Sequence, residues 1–194
     1  MAQRTGTTPP TIVPWASVQE AVGTQQQLDE IFFRSSARQH FDTDAARQAF
    51  YETWFGGYLR DDCDFTFVAV APYQTLVGYV VGSDANPLHA RRFQALTYYH
   101  AVAGLLPAYP VHLHINLHPD WRSRGLGSRL IEAFATAVAS RGYGGVHIFT
   151  EANARNVEFY RRNGFVPMAT VPWQSRHLLF LGRDLQLSVG QATT

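Results

Sequence analysis

Leu117-His118-Pro119-Asp120-Trp121-Arg122-Ser123-Arg124-Gly125-Leu126-Gly127-Ser128 decides the fold. Upstream of it, Val111, Leu113, Ile115 and Leu117 alternate with His112, His114, Asn116 and His118, the period of a strand with one apolar and one polar face. Downstream, Leu126, Leu130, Ile131, Phe134, Ala137 and Val138 share one face of a helix over 125–141, with Arg129, Glu132, Thr136 and Ser140 opposite and Gly142 as the stop. The stretch is therefore a strand–loop–helix junction. Unpaired amides and the helix dipole make such a junction an anion site, and two glycines let the backbone approach a ligand closely. Arg122 and Arg124 can each donate paired hydrogen bonds to phosphate oxygens, so a pyrophosphate is the natural guest. The loop is not a dinucleotide fingerprint, because the third glycine of G-x-G-x-x-G falls on Leu130.

The 194 residues, 46% of them hydrophobic, suffice for one well-buried domain. All 16 Lys plus Arg residues are arginine, which excludes a Walker phosphate loop and any Schiff-base lysine. The formal charge of +1 gives no sign of the field a nucleic-acid binder needs. A single cysteine, Cys63, cannot form an internal disulfide or a multi-cysteine zinc site, and no histidine spacing suggests a metal. With neither a signal-peptide core nor an apolar run of ~18 residues, a cytoplasmic protein without a membrane partner is expected.

Residues 1–10 read as a disordered leader and 188–194 as a flexible tail, leaving one domain over 11–187. Strands are expected at 12–15, 65–71, 76–82, 111–117, 146–150, 165–171 and 176–181. Helices are expected at 25–37, at 43–59 with Asp42 as N-cap, at about 88–106, at 125–141 and at 153–163. The class is α/β: a mixed central sheet of about six or seven strands flanked by helices, with a βαβ unit at its centre. Asp61, Asp62 and Asp64 read as a solvated acidic turn. The aromatic residues from Phe32 to Tyr58, and Phe93, read mostly as core, with Tyr98, Tyr99 and Trp173 as possible walls of an acceptor pocket.

The segment from Leu117 to Leu130 resembles the acetyl-CoA loop of the GNAT superfamily of N-acetyltransferases, whose pattern of Gln or Arg, two residues, Gly, one residue, Gly or Ala is met by Arg122, Gly125 and Gly127. Asn153, followed by Phe159-Tyr160-Arg161-Arg162-Asn163-Gly164-Phe165, is similar to the second hallmark of that family. The resemblance is close over 111–183 and only in outline before it. Tyr109-Pro110-Val111-His112-Leu113-His114-Ile115-Asn116 also resembles the acetyltransferase-like domains attached to O-GlcNAcases and their free-standing bacterial relatives, except that Asn116 stands where that branch has an acid.

What the resemblance implies is direct transfer of acetyl from acetyl-CoA, a co-substrate, to an amine on a small molecule or a protein. Backbone amides and side chains from Arg122 to Ser128 (Arg122, Ser123, Arg124, Gly125, Leu126, Gly127, Ser128) would hold the pyrophosphate. The strand edge at Leu117 and His118 would meet the pantetheine arm. Asn153 and Asn156, on one helix face with Tyr160, would hydrogen-bond the cofactor, and Tyr160 would protonate the departing sulfur. The base would be His114 or His112. If helices cover both faces of the sheet, these two histidines must line a cleft or satisfy buried partners. A module that binds acetyl-CoA without transferring it is the alternative, and the exposed ends of the last strands leave room for a homodimer.

Overall fold

The computed structural model describes residues 8–36 and 38–185. Most of the expected leader and all of the expected tail lie outside them. The strands are β1 (Thr11–Pro14), β2 (Phe67–Ala71), β3 (Thr75–Ser83), β4 (Val111–Leu117), β5 (Gly145–Glu151), β6 (Val166–Trp173) and β7 (Arg176–Asp184). They form one seven-stranded mixed sheet in the order β1-β2-β3-β4-β5-β7-β6. Five α-helices are described: α1 (Thr24–Ser35), α2 (Asp44–Tyr51), α3 (Gly57–Asp61), α4 (Leu126–Ser140) and α5 (Val157–Arg162). No described helix is long and apolar enough to cross a membrane.

Every strand pair is antiparallel except β4–β5, which the crossover through α4 makes parallel. That pair is also the shortest, joined only at Val111↔Val146 and His112↔His147. Beyond His112 the two strands part, while β4 stays paired to β3 as far as Leu117 and β5 to β7 as far as Glu151. The sheet thus opens a wedge at its own centre.

Both faces are covered. The apolar side of β4, with Val111 and Leu113 buried, packs with Leu126, Leu130, Ile131, Phe134 and Val138 of α4. On the other side Leu28, Ile31 and Phe32 of α1, Phe55, and Tyr58 of α3 form a second core with Tyr79, Phe93 and Tyr99. Burying a side chain the size of Phe134 contributes about 2–3 kcal/mol. The polar stripe of β4 faces the second core, so its histidines are interior groups.

Three expected helices differ in detail. The helix over 43–59 is divided: Glu52–Gly56 is a π-helical turn between α2 and α3. Ala46, Phe50, Trp54 and Tyr58 repeat every four residues and drift around a 3.6-residue helix; a wider turn returns Phe55 and Tyr58 to the core. Its N-cap is Thr43, not Asp42, with Thr43 Oγ1 accepting from the Ala46 amide at 3.1 Å. The segment 88–106 is not an α-helix but holds 3-10 turns at Arg91–Phe93 and Thr97–Val102. Buried Phe93, Leu96, Tyr99 and Val102 recur every three residues there, the period at which 3-10 side chains align.

The third of these helices borders the site. Instead of running from 153, α5 begins at Val157, and residues 152–156 are turns. The Asn156 side chain accepts from Thr150 Oγ1 at 2.8 Å, competing with helical continuation as short amides do. Asn153 is therefore exposed in a turn and shares no helix face with Tyr160. Nor is the acidic turn simply solvated: Asp62 is largely buried and paired to Arg92, while Asp61 pairs with Arg60 and Asp64 with Arg141.

Candidate active site

Where β4 and β5 part, a cleft of about 800 Å³ opens, lined along β4 by Ile115, Asn116 and Leu117. The loop and α4 contribute Arg122, Ser123, Gly125, Gly127 and Ser128, and the opposite wall comes from Arg155, Asn156, Phe159, Tyr160 and Arg162. Among the described residues no carboxylate lines it.

Gly125 takes the N-cap position of α4 at φ +75°, and a Cβ built there meets nothing within 4 Å. An L side chain is strained in that left-handed conformation, and with glycine no side chain caps the helix. The first amides of a 15-residue helix consequently face the cleft without internal partners. Gly127 is needed for a different reason: its Cβ would lie 3.0 Å from the Phe159 ring, so glycine lets α4 approach α5.

Arg122 turns back across the mouth of the wedge, its Nε donating to the Leu117 carbonyl at 3.2 Å and its Nη2 to Ser35 Oγ at 3.3 Å. Arg124 does not line the cleft; its guanidinium lies over Trp121, 5.4 Å from the ring centroid. Leu126 puts its side chain in the core, leaving only backbone for a ligand. His118 Nε2 accepts from Arg34 Nη1 at 2.9 Å, away from the lining. The structure thus gathers Leu117, Arg122, Ser123, Gly125, Gly127, Ser128, Asn156 and Tyr160 at the cleft, and leaves Arg124, Leu126, His118, Asn153 and the two strand histidines, His112 and His114, out of its lining.

Ile115, Asn116, Arg155, Phe159 and Arg162 line the cleft without having been singled out as binding residues. Phe159 and Arg162 are three apart on α5, and Phe159 adjoins Tyr160, so the helix periodicity pointed to that wall. Arg155 lies in the turn misassigned to helix. Its place was not accessible from spacing.

Tyr160 is almost buried, and burial raises its phenol above the ordinary value, so it remains protonated at neutral pH. Its hydroxyl makes no hydrogen bond among the described residues. A protonated phenol without an internal partner at a cleft wall is suited to donate to a ligand.

On the polar side of β4, Tyr58 stands between the two histidines. Its hydroxyl is 2.9 Å from His112 Nε2 and 3.1 Å from His114 Nε2. His112 is buried, and burial together with the neighbouring rings and Arg92 holds it well below the usual histidine range. His114 is only partly buried, yet burial and Arg92 bring it down to about 4, so its imidazole is neutral at physiological pH. Asn116, next along this face, lines the cleft and donates through Nδ2 to Tyr79 Oη at 2.7 Å. Among the described residues no group of three or more His, Cys, Asp or Glu side chains could hold a metal.

A parallel pair parting over an uncapped helix start, with cations at its mouth, makes a cleft suited to a phosphate-bearing ligand. The acetyltransferase (GNAT) domain model matches residues 63–167, and the chain belongs to that family of acetyl-CoA-dependent enzymes. Solved structures share the fold. The crystal structure of SsHAT, 24% identical, aligns with a TM-score of 0.70 over 92% of this chain and 99% of its own. An apo agmatine N-acetyltransferase variant, 15% identical, aligns at 0.63 over 91% and 100%. A GNAT superfamily phosphinothricin acetyltransferase from Sinorhizobium meliloti, solved with acetyl-CoA, is 16% identical and aligns at 0.58 over 96% and 93%.

Proposed function

We propose that this chain transfers acetyl from acetyl-CoA directly to an amine on a small molecule or a protein. The observation that carries the proposal is the wedge between β4 and β5, with the free amides of α4 at one end and Tyr160 on its wall. The pyrophosphate would rest on the amides of 125–128 beside Arg122. The pantetheine arm would pair with the β4 edge that β5 leaves free. The amine attacks the thioester carbonyl, the carbon–sulfur bond breaks, and Tyr160 gives its proton to the leaving thiolate. His114 takes the proton shed by the amine; it is the less buried of the two strand histidines and adjoins Asn116 along the same face. Agmatine and phosphinothricin, named for two of the similar structures, are small amines, which supports an acceptor of that kind.

A second possibility, binding without transfer, draws support from the lack of a carboxylate in the cleft lining and from the engagement of both histidines by Tyr58. CoA thiol release over a panel of amines separates the two. Amine-dependent release by the native protein, lost in Tyr160→Phe, supports transfer. Acetyl-CoA binding with no amine-dependent release supports the module.

A further inference from the structure

The cleft carries more positive charge than a pyrophosphate calls for. Arg122, Arg155 and Arg162 line it, with no carboxylate in its lining among the described residues. Arg122 stands on the β4 side, next to the first amides of α4. The other two belong to the opposite wall, at the two ends of α5: Arg155 immediately precedes the N-cap Asn156, and Arg162 is the last residue of the helix. We propose that Arg155 and Arg162 form a second anion subsite that takes the 3′-phosphate of acetyl-CoA, and so select this cofactor over nucleotide thioesters that lack the group. The inference rests on the reading of the cleft as the acetyl-CoA site.

Neither arginine is used by the fold. Arg155 is exposed and makes no hydrogen bond or ion pair with any described residue. Arg162 meets only Glu158, at 3.9 Å across one helical turn with both side chains exposed, a contact of the kind that contributes little to stability. Exposed arginines elsewhere are paired more closely: Arg60 with Glu52 at 2.7 Å, Arg141 with Asp64 at 3.2 Å and Arg176 with Glu151 at 2.6 Å. The turn that presents Arg155 is itself anchored, because Thr150 Oγ1 near the end of β5 donates to the side chain of Asn156 at 2.8 Å. Its backbone is thereby held at the open end of the wedge, across from the start of α4.

The chemistry of the ligand supplies the match. At neutral pH the pyrophosphate carries two negative charges, and a phosphate monoester, with a second pKa of about 6, carries nearly two more. The α4 amides and Arg122 answer the first pair. The second pair lies one ribose ring away and needs donors of its own. Guanidinium groups hold such a phosphate through two parallel hydrogen bonds each, and a cleft lining free of carboxylates leaves them no competing partner there. The six residues of α5 span about 9 Å, so two long side chains from its ends can close on one phosphate from opposite sides.

Equilibrium titration of the full chain with acetyl-CoA and with 3′-dephospho-acetyl-CoA measures the subsite. The native protein is expected to bind acetyl-CoA about 10- to 100-fold more tightly, the range for hydrogen bonds to a charged group. In the double variant Arg155→Gln, Arg162→Gln this preference should all but vanish, with the loss falling on acetyl-CoA rather than on its dephospho form. The unfolding midpoint of the variant should match that of the native protein, which separates lost recognition from lost structure. Equal affinity of the native protein for the two ligands overturns the proposal, and so does a double variant that keeps the native preference. A double variant that weakens both ligands by the same factor overturns it too, since the arginines then serve the pyrophosphate. Native protein that binds neither ligand refutes the acetyl-CoA reading itself, a result distinct from binding both alike.

Discussion

Gly127 of α4 and Phe159 of α5 meet so closely that a single added methyl at Gly127 would come to 3.0 Å from the phenyl ring. The two walls of the cleft are thereby set against each other. Gly127→Ala forces Phe159 to give, narrowing or tilting the wall that bears Tyr160. The expected result is a loss of about 1–3 kcal/mol in urea unfolding, as for other overpacked sites, and weaker acetyl-CoA binding. Gly125→Ala meets no neighbour but must hold an L residue at φ +75°, a strain of about 1–2 kcal/mol. Unfolding curves of both variants that match the native protein would contradict these roles.

Tyr160→Phe removes a hydroxyl that makes no hydrogen bond among the described residues. Its midpoint of thermal unfolding should match that of the native protein. If the phenol protonates the leaving thiolate, the rate of acetyl transfer falls about 10²-fold or more. A variant that transfers acetyl at the native rate shows that the sulfur takes its proton elsewhere.

Acid should destabilise the fold through its buried imidazoles. His114 and His147 have values lowered to about 4 by burial, and burial likewise holds His112 well below the ordinary 6.5. A depressed histidine value means that the unfolded chain binds more protons between pH 6.5 and 4. Stability is therefore complete above 6.5 and falls as the pH drops toward 4. Melting temperatures should be flat in the histidines' contribution from pH 7 to 8 and decline steadily below 6.5. For the same reason the acid limb of kcat/KM due to His114 belongs near pH 4, not near 6.5. A melting temperature constant from pH 7 to 4.5 would show that these rings are not held neutral.

Arg92 ties the end of α3 to β3. It pairs with Asp62, donates to Ser83 Oγ at 2.7 Å and to the Gly57 carbonyl at 3.1 Å, and lies over the Tyr58 ring. Asp62→Ala leaves a largely buried guanidinium with its main counter-charge gone, a change that costs about 3–5 kcal/mol when such a pair is broken. Urea titration measures it directly. A cost within about 0.5 kcal/mol would mean that solvent or Asp61 replaces Asp62 fully.

Much of this was legible from the chain. The alternation from Val111 to Leu117 and the 3.6-residue stripe of α4 are strong local signals, and they delivered the strand, the helix and the loop between them. Tyr160 and Asn156 followed from the second motif. What spacing could not supply was tertiary. Arg124 has the composition of a phosphate ligand, yet the ring of Trp121 captures it. Asn153 lies in a turn because short amides compete with helix at that point. The π-helical turn at 52–56 appeared as an ordinary helical stripe, although the four-residue repeat from Ala46 to Tyr58 was its trace. Tyr58 passed for a core aromatic, since its two histidine partners lie some fifty residues away and only the packing of α3 on β4 joins them.

On the proposed function, acetyl-CoA lies in the wedge between β4 and β5 with its pyrophosphate on the start of α4. Amide hydrogen exchange with and without acetyl-CoA tests it most directly. The predicted result is slowed exchange at 115–117 and 125–128, with little change in β1 or β2. Protection confined to other segments, or none at saturating acetyl-CoA, would contradict it.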